Sequence, residues 1–225
     1  MRMSELSSTT GATVPTLKFY LREQLLHAGE RTSPNQAQYD ESHVRRVRLV
    51  RALLEVGGLS VARAREVVAA LDAGTLPLSS VFGVAQRAVT VPTPLVDDAP
   101  APTGGDRLVA ELCAARDWRV YPNNPGLALA ARVLDTYAAL GQQGLHDVLE
   151  PYAEAADLVA RADLAAVAAA PDETEMTNVV VVGTVLGDAL FAGLRRIAQE
   201  AESFRRFPLP EGASAPTSTT TTEDC

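Results

Sequence analysis

Apolar side chains recur at a spacing of three or four residues along most of this chain, which predicts α-helices. A short helix is predicted over residues 3–8 and is closed at Gly11. Thr13 can cap a second helix with Pro15 in its first turn, where the missing N–H costs little. Glycine, proline and asparagine then punctuate residues 28–39, which predicts a small β-hairpin, or wing.

Two further helices are predicted after the hairpin. Asp40 or Ser42 caps the third helix, in which arginines interrupt an apolar stripe and a Gly-Gly pair marks the end. Ser60 caps the fourth helix, which ends at Gly74. This succession predicts that residues 1–75 form a winged helix-turn-helix domain.

Regular structure is expected to weaken over residues 76–106, which we interpret as a linker with one short helix over 80–88. Its prolines and glycines are predicted to lie outside regular elements. These residues are Pro77, Gly83, Pro92, Pro94, Pro100, Pro102, Gly104 and Gly105.

Helical spacing returns for the rest of the chain, and residues 107–208 are predicted to form an all-helical domain. Within it, residues 145–170 indicate one helix kinked at Pro151, or two helices joined there. A long final helix begins at Glu173 or Asn178 and ends near residue 207, and the Pro, Ser and Thr-rich tail 209–225 is expected to be disordered. The predicted fold class is therefore mainly α, a winged helix-turn-helix plus a helical C-terminal domain.

Composition narrows the class of protein. With 225 residues and 47% hydrophobic content, the chain can bury a core without disulfides. Two cysteines and three histidines lack the spacing of a structural zinc site, so neither a metal nor a cofactor is expected. No secretory signal is visible, and the longest apolar run, 179–194, is too short to cross a bilayer. A cytoplasmic protein without a membrane partner is predicted.

The charge of the chain is unevenly distributed. The net charge is -8, yet residues 1–75 hold ten Lys or Arg against eight Asp or Glu, whereas residues 76–225 hold ten against twenty. A mildly basic front joined to an acidic back is typical of an anion-binding module with a separate partner domain, and the phosphate backbone of DNA is the usual anion.

Two strings carry a family resemblance: TLKFYLREQLL at residues 16–26 and YDESHVRRVRLVRAL at residues 39–53. Together with the wing between them, they resemble the MerR family of bacterial transcriptional regulators over about the first third of the chain. The resemblance implies that the second helix enters the major groove of double-stranded DNA and that the wing contacts the backbone. It also implies a homodimer that distorts promoter DNA, and so affects RNA polymerase indirectly.

Candidate DNA contacts come from the second helix, the wing and the third helix. In a helix over residues 14–22 the leucines would face the core, and Lys18 would point outward together with Phe19 or Tyr20. The family's usual Gly-Tyr-Arg wing tip is replaced here by residues 35–38. The complete set of candidates is Thr13, Thr16, Lys18, Phe19, Tyr20, Arg22, Arg31, Gln36, Gln38, Tyr39, Arg45 and Arg46.

The dimer interface is expected at a different place from the family's. The long dimerising helix that usually follows the fourth helix is interrupted here by Gly74, Pro77 and Gly83. The final helix offers an apolar stripe and closely spaced glycines instead, although a core helix of the same chain would show the same pattern. The candidate interface residues are Val182, Gly183, Leu186, Gly187, Leu190 and Ile197.

An effector site is expected in the helical domain, because regulators of this kind commonly join a sensor to the DNA-binding module. Aromatic residues with acidic neighbours would suit a lipophilic cation. The candidates are Trp118, Tyr121, Tyr137, Glu150 and Tyr152. No nucleophile with a general base can be assembled from the spacing, so an enzyme is not expected.

Two other functions fit the same pattern. The chain would act as an architectural or excision accessory protein if it bends DNA without responding to a ligand. It would act as a protein-partner binding module if the basic front only localises the acidic helices.

Overall fold

The computed structural model describes residues 1–33, 36–74, 77–90 and 101–207, and most of them are helical. This confirms the predicted fold class, a winged helix-turn-helix joined to further helices. In chain order the elements are α1 (Met3–Thr10), α2 (Val14–Arg22), β1 (Glu30–Ser33), β2 (Gln36–Gln38), α3 (Glu41–Arg51), a π-helical turn (Ala52–Val56), α4 (Val61–Ala73), α5 (Leu78–Val89), α6 (Gly104–Ala115), α7 (Pro125–Ala139), a 3-10 segment (Gln143–Val148), α8 (Leu149–Ala168) and α9 (Glu173–Arg206).

Local capping signals fix the helix-turn-helix. Gly11 closes α1 with φ 68°, a left-handed conformation that glycine adopts without strain. The backbone N–H of Thr16 donates to Thr13 Oγ1 at 3.2 Å, so Thr13 caps α2 as predicted. Leu6 of α1 and Leu17 of α2 are fully buried, and their packing joins the two helices.

The wing is a two-stranded antiparallel hairpin in which Glu30 pairs with Gln38 and Arg31 with Ala37. Two hydrogen bonds join the end of the wing to Met1. The Met1 nitrogen donates to the Tyr39 carbonyl oxygen at 2.6 Å, and the Tyr39 N–H donates to the Met1 carbonyl oxygen at 2.8 Å. Residues 34 and 35, part of the unusual wing tip, lie outside the described residues.

The start of α3 resolves an alternative that the sequence left open. The backbone N–H groups of Ser42 and His43 donate to Asp40 Oδ1 at 2.9 and 3.4 Å, so Asp40 is the cap. Hydrogen bonds from Ser42 and His43 hold the pKa of this carboxyl well below its usual range. The π-helical turn carries α3 on to Gly57, and Ser60 then caps α4, which ends at Gly74 with φ 62°.

The core of the helix-turn-helix extends into the C-terminal helices. Buried side chains of α1 to α4 pack with Val81 of α5, Val167 of α8, and Val180, Val181 and Val185 of α9. A smaller cluster joins α6 to α7 around Val109, Ala131 and Leu134. The chain divides into two compact units, Met1–Asp188 and Ala189–Cys225. The predicted domain boundaries at residues 75 and 106 stay a prediction.

Three glycines that were expected outside regular structure lie inside helices. Gly83 is in α5, which confirms the short helix predicted over 80–88, and Gly104 and Gly105 lie in the first turn of α6. The Asp106 N–H donates to Thr103 Oγ1 at 3.1 Å and the Thr103 N–H donates to Asp106 Oδ2 at 2.8 Å. This capping box outweighs the low helix propensity of the two glycines in the first turn of α6.

Prolines in the same part of the chain keep to their predicted places where they are described. Pro77 immediately precedes α5, and Pro102 precedes the cap of α6. Pro151 lies in the first turn of α8, after the 3-10 segment, so residues 145–170 form two joined elements. Pro92, Pro94 and Pro100, like the tail 209–225 and its predicted disorder, lie outside the described residues.

We expect Gly57→Ala to lower the free energy of unfolding by about 1–2 kcal/mol, because the new methyl group would overpack the shared core. An ideal Cβ on Gly57 would lie 2.4 Å from Val185 Cγ1 and 2.8 Å from the Leu53 oxygen. Urea unfolding monitored by circular dichroism measures the effect. Gly144→Ala is the control, since its Cβ would meet nothing within 4 Å. Equal stability of the two variants would contradict packing of α9 on the π-helical turn.

Candidate nucleic-acid interface

A basic groove lies between α1, α2 and the wing. Its volume is about 500 Å³, and Arg2, Lys18 and Arg31 contribute three positive charges to its walls. Among the described residues that line it, none is acidic. The remaining lining residues are Met3, Ser4, Thr32, Ser33, Gln36, Ala37, Gln38 and Tyr39. Such a groove, rich in cations and hydroxyl or amide groups, attracts an anion such as a phosphate backbone.

The outer surface of α2 carries several polar and charged side chains, most of which already have a partner. Lys18 is exposed and makes no hydrogen bond or ion pair within the described part of the chain. Thr13 and Thr16 join their hydroxyl groups at 2.8 Å at the start of the helix. Arg22 lies 5.2 Å above the Phe19 ring and pairs with Glu23 at 3.2 Å. Lys18 is therefore the member of this face that is free to meet a base or a phosphate.

The structure corrects the placement of Tyr20. This side chain is 4% exposed and belongs to the central core, whereas Phe19 is half-buried at the surface. Burial raises the pKa of Tyr20, and the nearby carboxylate of Glu55 raises it further. Of the two aromatic candidates, Phe19 is the one that lies outward.

The candidates in the wing also include both exposed and buried side chains. Arg31, Gln36 and Gln38 are exposed on the two strands. Tyr39 is only 7% exposed and packs edge-on against His43, with the ring centroids 5.1 Å apart. The ring of Tyr39 thus anchors the end of the wing to α3, and although the residue also borders the basic groove, its contact with DNA stays a prediction.

The arginines of α3 have different roles. Arg45 is exposed and makes no ion pair with any described residue. Arg46 forms a bidentate pair with Asp72, one arm of which is 3.1 Å long between Nη1 and Oδ2. Arg51 donates to the Thr10 carbonyl oxygen at 3.0 Å. Arg45 is available for a phosphate contact, whereas the side chains of Arg46 and Arg51 bind other parts of the protein.

Sequence reasoning missed Arg2. It precedes the first helix, where a single arginine carries no pattern, and only the close approach of the wing places it in the groove. No described residue beyond Tyr39 lines the groove, and the candidates of the helical part form separate groups.

Two of the candidate effector residues, Trp118 and Glu150, meet around an arginine that sequence reasoning missed. Arg116 donates to Asp157 at 2.7 Å and to Glu150 at 2.5 Å, and the Trp118 indole N–H donates to Asp157 at 2.8 Å. Tyr121 is 74% and Tyr152 48% exposed, and Tyr137 packs with the smaller cluster around Leu134. The structure thus brings Trp118 and Glu150 to one ion-pair hub but does not gather all five candidates into one pocket.

The candidate dimer residues lie along α9. Leu186 is half-buried against the central core, and Gly183 and Gly187 have room for a Cβ. Val182 is 36% exposed. Within the second unit, Leu190 and Ile197 are 64% and 67% exposed. The first part of this helix therefore belongs to the core of the same chain, and the interface along its exposed part stays a prediction.

The length of α9 corrects the prediction that the apolar run 179–194 is too short to cross a bilayer. This run lies within a longer helix, one stretch of which has a mean hydropathy of 1.6, and by length and composition alone the helix could cross a membrane. Core helices of soluble proteins meet the same criteria, and Val180, Val181 and Val185 of α9 are buried in the core.

The first part of the chain, which holds the helix-turn-helix and the wing, is similar to known regulatory proteins. Residues 1–71 match the family described as "MerR HTH family regulatory protein". The nodulation protein NolA of Bradyrhizobium elkanii is 46% identical over 56 residues, which are 25% of this chain and 26% of NolA. NolA of Bradyrhizobium sp. (strain NC92) is 45% identical over 56 residues, 25% of this chain and 24% of that protein. The match thus spans about a quarter of the length of these relatives.

A solved structure extends the similarity to nearly the whole chain. SCO5550 of Streptomyces coelicolor A3(2), assigned as a transcriptional regulator, is 32% identical and superposes with a TM-score of 0.65. The alignment covers 93% of this chain and 99% of SCO5550. The helical part is therefore shared with that protein, in addition to the helix-turn-helix.

Proposed function

Because this chain belongs to the MerR family of DNA-binding transcriptional regulators, we propose that it recognises a specific promoter operator and regulates transcription there. The observation that carries the proposal is the basic groove of Arg2, Lys18 and Arg31 beside the exposed surface of α2. A regulator of this kind works in the cytoplasm, where promoter DNA is accessible.

The groove geometry supports a specific docking. With α2 in the major groove, the Lys18 ammonium can donate to a guanine edge or a phosphate, and the hydroxyl groups of Thr13 and Thr16 can donate to a phosphate. In this docking, Arg2 and Arg31 lie beside the phosphate backbone of the DNA between α2 and the wing. Arg45 of α3 extends the same cationic surface.

Binding of the full chain to its own upstream DNA, compared with shuffled DNA over a salt series, tests this function. We expect a clear preference for the upstream DNA and a steep decrease of affinity with salt. Equal affinity for both DNAs would favour an architectural or accessory role. No affinity for either would favour the protein-partner module.

We propose that the chain forms a homodimer through the exposed stripe of α9. Leu190, Leu194 and Ile197 recur at helical spacing and are 64%, 53% and 67% exposed. A second copy that covers the stripe would remove this apolar surface from water, and palindromic operators require two copies of the reading helix.

We expect Ile197→Glu to raise the dimer dissociation constant at least roughly tenfold, because it would bury an unpaired carboxylate in the interface. Sedimentation velocity over a concentration series measures the change. Gln199→Glu, which adds the same charge to the same exposed helix, is the control and is expected to remain dimeric. A dimer that tolerates Ile197→Glu would rule out this stripe as the interface.

We also propose that the regulator distorts promoter DNA and responds to a small molecule. For the distortion, shortening the promoter spacer should abolish the response, because realignment of the promoter elements would no longer help. An unchanged response at a normal spacer length would contradict this mechanism.

The proposed effector site is the hub around Trp118, where a lipophilic cation would compete with Arg116 for the carboxylates of Glu150 and Asp157. Trp118 is the one tryptophan of the chain, so its fluorescence reports on this hub directly. We expect cationic aromatic compounds to change the emission and raise the melting temperature. Stabilisation by anionic aromatic compounds instead would contradict the proposed charge of the effector.

A further inference from the structure

Two histidines and an aspartate meet where the wing joins α3. His27 precedes β1, Asp40 follows β2, and His43 lies in the first turn of α3. One potential ligand atom of each residue lies within 4.8 Å of the other two. The imidazole rings of His27 and His43 are 3.9 Å apart between centroids and are tilted by 39°.

His43 has a buried nitrogen without a partner. The residue is 4% exposed, and its Nε2 makes no hydrogen bond within the described part of the chain. Its Nδ1 lies 2.8 Å from Asp40 Oδ1 and 3.1 Å from the Asp40 backbone nitrogen. A buried polar atom without a partner costs free energy, so its persistence requires an explanation.

Neither neutral tautomer of His43 removes this cost. If Nδ1 carries the proton, it donates to Asp40 Oδ1, and Nε2 is left with an unpaired lone pair. If Nδ1 is deprotonated, it accepts from the Asp40 N–H, and Nε2 carries a proton with no acceptor. The first tautomer has the arrangement in which a carboxylate orients an imidazole and leaves the other nitrogen free to bind a metal.

We propose that His27 and His43 bind a divalent cation of the Zn²⁺ class, with Asp40 orienting the His43 ring through Nδ1. Imidazole nitrogens are donors that suit Zn²⁺, whereas Ca²⁺ and Mg²⁺ prefer all-oxygen sites. His27 is exposed, so a cation can enter from solvent, and its Nε2 lies 3.1 Å from Ser42 Oγ. Rotation of this exposed ring would bring a nitrogen to the cation beside His43.

The neighbouring charges are compatible with a cation at this position. Arg46 is the basic side chain closest in sequence on the same helix face, and its guanidinium is paired with Asp72. The cluster is also distinct from the basic groove, because none of its three members lines that groove. The site therefore goes beyond the proposed function and does not depend on it.

Calorimetric titration of the untagged, EDTA-treated full chain with ZnCl₂ tests the site without DNA. We expect one Zn²⁺ per chain, no binding of Mg²⁺ at the same concentration, and a loss of Zn²⁺ affinity of at least roughly tenfold in His27→Ala. The control is His146→Ala, which removes a histidine whose Nε2 lies 3.2 Å from the Leu134 oxygen, outside the cluster. This control should bind Zn²⁺ like the unmodified chain.

Thermal unfolding provides a second readout. Zn²⁺ should raise the melting temperature of the unmodified chain and of His146→Ala, but not that of His27→Ala. Because His27 is exposed, His27→Ala should keep the circular dichroism spectrum of the unmodified chain. Unchanged Zn²⁺ affinity in His27→Ala, or an equal loss in His146→Ala, would overturn the proposal. So would the absence of any Zn²⁺ binding by the unmodified chain.

Discussion

Lys18→Ala is expected to weaken binding of the specific DNA roughly tenfold. The ammonium of Lys18 is exposed, lines the groove beside Arg2 and Arg31, and has no intramolecular partner among the described residues, so its contact with DNA is lost without compensation. If the contact is to a phosphate, the slope of log affinity against log salt should also decrease by about 1. Fluorescence anisotropy at several salt concentrations measures both quantities.

Two control variants separate this effect from changes of fold or net charge. Tyr20→Phe alters the neighbouring aromatic residue in the core and should leave DNA affinity nearly unchanged, because the Tyr20 side chain is only 4% exposed. Arg196→Ala removes one positive charge from α9 and should have the same small effect. DNA affinity that falls equally in Lys18→Ala and Arg196→Ala would show that net charge, rather than the groove, determines binding.

Gly105→Ala is expected to lower the free energy of unfolding by about 3 kcal/mol and the melting temperature by roughly 10 °C. An ideal Cβ on Gly105 would lie 2.1 Å from the Ala131 carbonyl oxygen and 2.8 Å from its carbon. Both atoms belong to the backbone of α7, so the clash cannot be relieved by a side-chain rotation. Relief requires α6 and α7 to move apart, which would open the cluster of Val109, Ala131 and Leu134.

The adjacent glycine provides a matched control. A Cβ on Gly104 would meet only Asp135 Oδ1, at 3.7 Å, an ordinary contact. Gly104→Ala should therefore unfold at nearly the same temperature as the unmodified chain, or slightly higher. If scanning calorimetry gave both variants the same melting temperature, the close approach of α6 to α7 would be wrong.

Local signals explain why so much of the fold could be predicted. Thr13, Ser60 and Asn124 cap helices through hydrogen bonds to backbone atoms two or three residues away, so the sequence beside them is sufficient. The same holds for Gly11, whose left-handed conformation ends α1. Gly105 shows the limit of such reasoning, because its close contact is with a different helix.

For the candidate site, the sequence predicted the residue types more reliably than their exposure. Lys18 and Arg31 line the groove as basic residues of α2 and the wing, in agreement with the predicted elements. Tyr20 and Tyr39, predicted as contacts, are buried, since a tyrosine can face either the core or the solvent at the same helical or strand spacing. Arg46 has its partner on α4, which no local pattern indicates.

The sequence by itself determined the helices, the wing and the family, because capping, hydrophobic periodicity and two diagnostic strings depend on neighbours along the chain. The tertiary structure alone decided which polar groups meet. Arg2 lines the groove beside the wing, Arg116 pairs with Glu150 and Asp157, and the ring of His27 meets that of His43 although the hairpin separates them in sequence. Such contacts depend on how elements distant in sequence pack, and packing maximises the burial of apolar surface over the whole chain.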